Sequence, residues 1–407
     1  MLTLDKIYHA SNVLENVARE TGVIYAPSLS KNNKIFLKTE NLQVTGSFKV
    51  RGAYYKISQL SDEDKSKGII ACSAGNHAQG VALAAQKNNI PCLICMPDNA
   101  PISKVEATKQ YGAKVELVKG AYDDAYNRAL EIQKETGMTF IHPFDDEEVI
   151  AGQGTIGLEI LEQLKNVDVV IVPIGGGGLI SGVAYTIKTL KPSCKVIGVQ
   201  AEAAASMYTS IHQNKIIELE SVNTFADGIA VKKPGPHTFE IISNYVDEIV
   251  TVSDDETAAA ILALMEKQKI VAEGAGAVSV AAAIFNKFES EGKNIVCIVS
   301  GGNIDVNILN RVITRGLLMS GRRHTLTIAL VDKPGQLTEV SHIIAKCGGN
   351  VIAVDYDNAD PNMAITSCFL RLTLETRDDS QIQMIRKVLS DNGFHLVTDR
   401  VKTYEIK

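Results

Sequence analysis

The sequence predicts an α/β protein with two doubly wound open-sheet domains and a C-terminal domain of a different type. Over the first 320 residues, short apolar runs rich in Val and Ile alternate with residues at helical spacing. Uninterrupted apolar runs are typical of strands buried on both faces of a parallel sheet, and βα alternation indicates a doubly wound fold. One series precedes residue 145 and one follows it, so we expect two domains with a cleft between them.

The elements of this region follow one plan. Strands are predicted at residues 68–72, 91–96, 114–118, 168–173, 195–200 and 294–299. Helices are predicted at about residues 78–88, 103–111 and 122–136, and from the glycines after residue 174 to about residue 190. We therefore expect one region of residues 1–320, with a smaller α/β subdomain at about residues 50–145 and a larger subdomain formed by the remainder.

The pattern changes after residue 321. Residues 324–331 alternate like a half-exposed strand, and Pro334 and Gly335 stand in turn positions. The expected elements that follow are a helix around residues 337–344, strands at 351–356 and 366–374, a helix at 381–391 and a strand at 395–399. This β-α-β-β-α-β order is ferredoxin-like, and we assign it to a domain of residues 325–407.

Composition excludes several classes of protein. The net charge is −6 with no basic stripe or tail, which argues against nucleic-acid binding. No apolar run approaches the ~20 residues that cross a membrane, and the N-terminus lacks a signal-peptide pattern. The seven cysteines are dispersed, mostly in apolar runs, as expected for reduced core thiols in a cytoplasmic protein. Cys92 and Cys95 have C-x-x-C spacing, but no second pair or nearby His completes a metal site.

Lys49 is the first candidate for chemistry. It is flanked by an aromatic, an aliphatic and small residues in the segment of residues 45–53. Desolvation lowers the pKa of such an amine, and a neutral amine attacks aldehydes to form a Schiff base. The alternative is an exposed lysine at the start of a helix.

A glycine run ends the strand at residues 168–173 and opens a helix. Successive backbone N–H groups there converge at the positive end of the helix dipole, which predicts a phosphate site at Gly175, Gly176, Gly177 and Gly178. A nicotinamide dinucleotide is the alternative ligand, because Glu202 ends the next strand where a ribose-binding acid would lie. The glycine spacing departs from that fingerprint, which makes the alternative weak.

Two more loops follow predicted strands. Residues 73–80 offer backbone donors, a Ser hydroxyl and an Asn amide at a helix start, which suits a carboxylate. His77 in this loop is expected to cap or pack rather than act as a base. Ser300 would lie at the carboxyl end of a central strand, where ligands bind in open α/β sheets, although a simple turn is the alternative.

An amine nucleophile, a phosphate cradle, a carboxylate loop and a neutral hydroxyl are what pyridoxal 5'-phosphate and an amino acid require. Residues 47–53, 73–80, 175–179 and 300–303 also resemble, in order, the motifs of threonine dehydratase (threonine ammonia-lyase), a fold-type II pyridoxal-phosphate enzyme of the tryptophan-synthase-β group. The resemblance covers residues 1–320. It implies a carbon–nitrogen lyase that converts L-threonine to 2-oxobutanoate and ammonia, and secondarily L-serine to pyruvate, in threonine breakdown or isoleucine synthesis.

The resemblance also implies a role for each motif residue. Lys49 holds the cofactor as a Schiff base and then removes the Cα proton. The other cofactor contacts are Phe48 at the ring, Asn76 at the phenolic oxygen, Gly175, Gly176, Gly177, Gly178 and Leu179 at the phosphate, and Ser300 at the pyridine nitrogen. The substrate carboxylate is held by Ser73, Ala74, Gly75, Asn76 and His77. Gly228 and Glu273 line the site.

Two residues refine the expected reaction. A neutral hydroxyl at Ser300 makes the ring a weaker electron sink than a carboxylate would, which favours prompt β-elimination over transamination. Serine racemases of this fold resemble this chain but carry serine where Ala74 stands, and Ala74 cannot donate a proton. We therefore expect little racemase activity. Gln200 and Ser206 replace the racemases' cation-binding acids, so no metal is expected, although Glu202 leaves a cation site open.

Residues 332–337 and 348–351 resemble an ACT domain, which implies allosteric regulation by an amino-acid or nucleotide effector in a homodimer or homotetramer. A dimerisation module without a ligand is the alternative. Two other functions stay open at this point: a nicotinamide oxidoreductase, and a regulatory amino-acid-binding protein that has lost catalysis.

Overall fold

The computed structural model describes residues 1–358 and 364–397 and divides the chain into two compact units, Met1–Ile308 and Leu309–Lys407. The predicted α/β class is confirmed. Within the described residues, the first unit has one mostly parallel and one fully parallel sheet, and the second unit has an antiparallel sheet. Each unit has a hydrophobic core of its own.

Six of the ten strands of the first unit, which the structure describes in full, match the predicted runs to within one or two residues. They are β1 (Val23–Tyr25), β2 (Lys34–Lys38), β3 (Ile69–Cys72), β4 (Cys92–Pro97), β5 (Lys114–Val118), β6 (Thr139–Phe140), β7 (Val169–Pro173), β8 (Lys195–Ala201), β9 (Glu248–Val252) and β10 (Asn294–Ile298). The short strands β1, β2, β6 and β9 were not expected from the sequence. Their residues do not form uninterrupted buried runs, which is why the apolar pattern does not reveal them.

Helices connect most of these strands. They are α1 (Leu4–Leu14), α2 (Lys49–Ser58), α3 (Asp62–Lys67), α4 (Asn76–Asn88), α5 (Ile102–Lys109), α6 (Tyr122–Thr136), α7 (Glu147–Gln163), α8 (Gly178–Leu190), α9 (Ser206–His212), α10 (Pro236–Tyr245), α11 (Asp254–Ala263) and α12 (Gly274–Ile284). Single turns of 3-10 helix lie at Pro27–Leu29, Glu40–Leu42, Glu202–Ala204 and Asp227–Ile229, and a π-helical turn lies at Leu264–Gln268.

The strand order places the loops after the parallel strands of the first unit at one edge of each sheet. In this fully described unit, the larger sheet has the order β1-β2-β10-β7-β8-β9 and the smaller sheet the order β5-β4-β3-β6. All neighbours are parallel except β1 and β2. The loops that follow β3, β7 and β10 therefore leave the carboxyl ends of central strands, where open α/β sheets bind ligands.

The second unit has the predicted β-α-β-β-α-β order. Its elements are α13 (Val306–Met319, which begins before the boundary), β11 (Arg323–Val331), α14 (Gln336–Lys346), β12 (Asn350–Asp357), β13 (Ser367–Glu375), α15 (Asp379–Asp391) and β14 (His395–Val397). The antiparallel sheet has the order β12-β13-β11-β14 in the described part of the chain. The expected last strand at residues 395–399 is confirmed as far as Val397, and residues 398–399 lie outside the described residues.

Three close backbone contacts fix the position of α2, the helix that begins at Lys49. A Cβ atom added at Gly152 of α7 would lie 2.6 Å from Gly52 Cα, and one added at Gly52 would lie 2.6 Å from the Val149 carbonyl oxygen of α7. A Cβ atom added at Gly80 of α4 would lie 3.0 Å from the carbonyl carbon of Lys49. Glycine is therefore required where α4 and α7 approach α2 on either side.

A buried ion network fixes the same helix from within. The Arg51 guanidinium donates from Nε and Nη2 to Glu40 (2.9 and 2.8 Å), and from Nη1 and Nη2 to Glu159 (2.5 and 2.9 Å). Lys38 Nζ donates to Glu159 at 2.5 Å, and Arg51 Nη1 also donates to Thr155 at 3.1 Å. Arg51, Glu40 and Lys38 are fully buried and Glu159 is mostly buried, so the network ties α2 to α7, β2 and a 3-10 helix with little contact with solvent.

We expect Arg51→Met to lower the free energy of unfolding by about 3–5 kcal/mol, because removing one partner leaves buried carboxylates without compensation. Arg128→Met is the matched control, since the ion pairs of Arg128 with Glu116 and Glu131 are exposed and screened by water, so its loss should change the free energy of unfolding far less. Urea unfolding followed by circular dichroism measures both changes. Equal losses in the two variants would contradict a structural role for the network.

Candidate active site

The amine of Lys49 lies between two chain segments near the start of α2. Its Nζ donates to the Pro143 carbonyl oxygen at 2.9 Å and lies 5.2 Å from the centroid of the Phe48 ring. Burial lowers the pKa of Lys49 to about 8, although the nearby Glu273 carboxylate acts in the opposite direction. Roughly a tenth of this amine is therefore neutral, and hence nucleophilic, at pH 7, far more than for an ordinary lysine.

The loop after β10 pairs with the segment that precedes Lys49. Ser47 and Gly301 form an isolated antiparallel bridge, and Phe48 N–H donates to the Ser300 carbonyl at 3.1 Å. The buried hydroxyl of Ser300 donates to the Ala275 carbonyl at 3.2 Å. This pairing brings Phe48, Lys49 and Ser300 together, although they come from distant parts of the sequence.

Asn76 and Glu273 meet across the same site. Asn76 Nδ2 donates to Glu273 Oε1 at 2.6 Å. Burial and the charge of Asp227 raise the pKa of Glu273 to about 7, against the hydrogen bond from Asn76 and the charges of Lys104 and Lys49. A Cβ atom added at Gly228 would lie 3.6 Å from Glu273 Oε1, so Gly228 and Glu273 are close neighbours.

The glycine run forms a bare backbone turn between β7 and α8. Gly177 has φ +100°, a conformation that favours glycine, and it caps the start of α8. A Cβ atom added at Gly176 would lie 2.4 Å from the Phe144 ring, and one at Gly178 would lie 2.9 Å from Phe144 Cα. Thr238 Oγ1 donates to the Gly176 carbonyl at 2.7 Å. The first N–H groups of a helix have no partner within the helix, so those at the start of α8 are available to an anion.

The loop after β3 is half-buried at residues 73–76, and its shape is set by a hydrogen bond. Gly75 N–H donates to Ser73 Oγ at 3.1 Å, and a Cβ atom added at Gly75 would meet no atom within 4 Å. Ala74 packs at the edge of the core of the smaller sheet. The loop thus leaves open space at the N-terminus of α4, where backbone N–H groups favour a carboxylate.

His77 is buried, and its ring makes one hydrogen bond to the backbone. Nε2 lies 2.9 Å from the Ile141 carbonyl, which can only accept, so this nitrogen carries the proton. Burial, with a smaller contribution from the charge of Lys49, lowers the pKa of His77 to about 3. The imidazole is therefore neutral and joins α4 to the residue that follows β6, as the packing interpretation expected.

Comparison with known proteins decides the family. Residues 14–301 match the family model described as pyridoxal-phosphate dependent enzyme. The chain belongs to this enzyme family. Its cofactor is therefore pyridoxal phosphate.

The chain is similar to lyases along almost its whole length. It is 50% identical over 398 residues to an L-threonine ammonia-lyase of Thermotoga maritima, which covers 97% of this chain and 99% of the relative. Among solved structures, threonine deaminase isoform 2 from Solanum lycopersicum matches with a TM-score of 0.73 and 41% identity, over 77% of this chain and 89% of its own. Maize serine racemase matches with a TM-score of 0.73 and 37% identity, over 78% and 98%.

The residues of this pyridoxal-phosphate enzyme fit its cofactor. The glycine run supplies a cradle that any side chain would fill, next to Phe144, which follows the Pro143 carbonyl that Lys49 contacts. An amine with a lowered pKa suits the cofactor's aldehyde, and a buried neutral hydroxyl at Ser300 suits a ring nitrogen. Lys49 and the glycine run are thus both neighbours of the segment of residues 143 and 144.

The side chains of Gln200 and Ser206, where the racemases' acids would align, hold the backbone. Gln200 donates to the Ala204 carbonyl at 3.2 Å and accepts from Tyr208 N–H at 2.8 Å, and Ser206 donates to the Val231 carbonyl at 2.7 Å. In the part of the chain that the structure describes, no group of three or more His, Cys, Asp or Glu side chains is arranged to hold a metal ion.

Other sequence expectations concern the chain as a whole. Cys92 and Cys95 are buried free thiols, and burial raises the pKa of Cys92 to about 12 and that of Cys95 to about 11. Among residues 1–358 and 364–397, no helix has both the length and the apolar character to cross a membrane.

Sequence reasoning missed several residues that shape the site. Pro143, Phe144 and Thr238 lie outside the glycine-rich motifs, and only the tertiary structure brings them to Lys49 and the glycine run. Asn303 stood within the segment of residues 300–303, but no role was assigned to it. Its position directly after two glycines at the end of β10 was the available signal.

We expect covalent uptake of pyridoxal phosphate by the cofactor-free enzyme to depend on the titration of Lys49. Only the neutral amine attacks an aldehyde, so the rate rises about tenfold per pH unit below about pH 8 and levels off above it. Stopped-flow absorbance of the yellow product measures the rate. The control is Nα-acetyl-lysine, whose free ε-amine has an ordinary pKa of about 10.4. A protein rate that still rises steeply at pH 10 would contradict the lowered pKa.

Proposed function

We propose that this enzyme catalyses β-elimination on L-threonine, yielding 2-oxobutanoate and ammonia, and secondarily on L-serine, yielding pyruvate and ammonia. The single observation that carries the proposal is a lysine of lowered pKa, enclosed by Pro143 and Phe48, in a chain half identical to an L-threonine ammonia-lyase. The nicotinamide hypothesis is left without support, since the family's cofactor is pyridoxal phosphate.

The site residues divide the work of binding and proton transfer. When bound, pyridoxal phosphate supplies an electron sink for the charge left at Cα. Lys49 holds the cofactor's aldehyde and, once substrate displaces it, takes the Cα proton, for which a pKa of about 8 is well placed. The cofactor is held by Phe48 at its ring, by Asn76 at its phenolic oxygen, and at its phosphate by Gly175, Gly176, Gly177, Gly178 and Leu179.

Residues at the mouth of the site orient the amino acid. The backbone and hydroxyl groups of residues 73–77 receive the substrate carboxylate at the N-terminus of α4, where the helix dipole favours negative charge. Gly228 and Glu273 border the same space. A carboxylate fixed there holds Cα in one orientation relative to the Lys49 amine, so the proton leaves from one face.

Ser300 sets the type of reaction. Its hydroxyl has one proton, which it donates to the Ala275 carbonyl at 3.2 Å and which it would instead donate to the unprotonated ring nitrogen of a bound cofactor. With a neutral hydroxyl at its nitrogen, the ring stays unprotonated. It then withdraws less charge from Cα than a ring that a carboxylate keeps protonated. The charge left at Cα is therefore short-lived, and prompt loss of the β-hydroxyl is favoured over transamination.

Lys49→Ala is expected to abolish ketoacid release from threonine and serine, because it removes both the cofactor's anchor and the proton acceptor. Lys87→Ala, at an exposed lysine of α4, is the control and should keep full activity. Borohydride should trap the cofactor on Lys49 in the parent enzyme only. Turnover retained by Lys49→Ala would remove this residue from the mechanism.

Little racemase activity is expected, since Ala74 offers no proton donor at the position where the racemases of this fold carry serine. Chiral chromatography of L-serine incubated with the holoenzyme measures D-serine, while coupled pyruvate detection measures elimination in the same sample. Interconversion of L- and D-serine at a rate comparable to elimination would overturn this prediction.

We further propose that residues 1–320 form the catalytic region and that residues 325–407 form an ACT-type regulatory domain. The β-α-β-β-α-β order of the second unit supports this proposal. The enzyme would be a cytoplasmic homodimer or homotetramer that serves threonine breakdown or isoleucine synthesis. Any effect of an amino-acid or nucleotide effector on substrate binding must be reciprocal.

Effector control is expected to require the second unit. Ketoacid release from threonine is measured with and without isoleucine, valine and AMP, for the full chain and for a chain ending at Ser320. At least one effector should change the activity of the full chain and leave the shortened chain unaffected. An identical response of the two chains would place the effector site outside residues 325–407.

A further inference from the structure

Asn303 lies behind Asn76, on the side away from Glu273. Its Nδ2 donates to the Thr45 carbonyl at 2.8 Å and to Asn76 Oδ1 at 2.8 Å. Asn76 Nδ2 in turn donates to Glu273 Oε1 at 2.6 Å. The four groups form one chain of hydrogen bonds that begins at a backbone carbonyl and ends at a buried carboxyl group.

The backbone carbonyl at the start of this chain determines every amide orientation along it. A carbonyl oxygen only accepts, so the amide of Asn303 must turn its NH2 group, and not its oxygen, towards Thr45. The second hydrogen of that NH2 group then faces Asn76, whose amide must turn its oxygen to meet it. The NH2 group of Asn76 is thereby directed to the opposite side, where one of its hydrogens reaches Glu273.

The scaffold around Asn303 is built to receive its side chain. Gly46 has φ +73°, and a Cβ atom added there would lie 2.4 Å from Asn303 Oδ1, so only glycine leaves room for the amide. Gly302 N–H donates to the Gly46 carbonyl at 2.9 Å, next to the bridge between Ser47 and Gly301. These contacts place Asn303 in one position relative to Thr45.

We propose that Asn303 is a positioning residue, which orients the Asn76 amide so that an N–H group, and not the amide oxygen, faces the cofactor's phenolic oxygen. The proposal rests on the cofactor contact proposed for Asn76. The phenolic oxygen is a hydrogen-bond acceptor, so a donor stabilises it and an amide oxygen in the same place would repel it. Asn303 acts only through Asn76 and does not itself contact the cofactor.

Asn303→Asp tests the orientation with almost no change in volume. A carboxylate cannot donate to Thr45 or to Asn76, so the Asn76 amide turns over and presents its oxygen to the cofactor. We expect the dissociation constant of pyridoxal phosphate to rise about ten- to a hundredfold, as for the loss of a hydrogen bond to a charged group, and its visible absorbance spectrum to shift. Asn307→Asp, the same change at an exposed asparagine of α13, should alter neither quantity.

A double-mutant cycle separates positioning from a merely structural role. In an Asn76→Ala background, Asn303→Asp should have no further effect on the spectrum or on cofactor affinity, because the group it orients is gone. Asn303→Ala, which also removes the donor to Asn76, should likewise shift the spectrum and weaken cofactor binding if Asn303→Asp does not fold. An unchanged spectrum and affinity in both Asn303 variants, or full additivity in the cycle, would overturn the proposal.

The proposed reaction is tested separately from this inference. If Asn76→Ala keeps the parent spectrum while Lys49→Ala loses the bound cofactor, the contact assigned to Asn76 is wrong and the positioning proposal fails with it. The lyase proposal itself stands or fails on ketoacid release.

Discussion

The buried guanidinium of Arg51 holds the helix on which the rest of the site depends. Its hydrogen bonds to Glu40 and Glu159 join α2 to two other parts of the first unit, and the close contact of Gly52 with Gly152 sets the distance to α7. Lys49 begins this helix two residues earlier. A reactive amine must lie within a fraction of an ångström of its reactive position. Catalysis therefore requires that ion pairs and packing hold α2 rigidly in place.

Burial then shifts the pKa values of the ionisable groups in the site. Removing water disfavours charge on any group, which lowers the pKa of the Lys49 ammonium and raises that of the Glu273 carboxyl. Both groups titrate near neutral pH as a result. His77 is shifted so far by the same burial that its ring stays neutral and serves the fold.

Much of the fold could be predicted because strands buried in a parallel sheet have continuous apolar sequences. The run at β7 and the alternation at β11 reveal their strands directly, and glycine runs after strands point to ligand loops. The strands β1 and β9 could not be found this way, since short or half-buried strands leave no periodic pattern. Thr238 and Phe144 were missed because no local sequence pattern distinguishes a residue that contacts a distant glycine run.

By itself, the sequence determined the α/β class, the β-α-β-β-α-β order of the tail and the set of chemical groups available after each strand, since all three follow from local periodicity and residue type. Only the tertiary structure decided how these groups meet. It enclosed Lys49 against the Pro143 carbonyl and joined Asn76 to Glu273 and Asn303. Hydrogen bonding and desolvation depend on distances between residues far apart in the chain, and these distances exist only once the chain has folded.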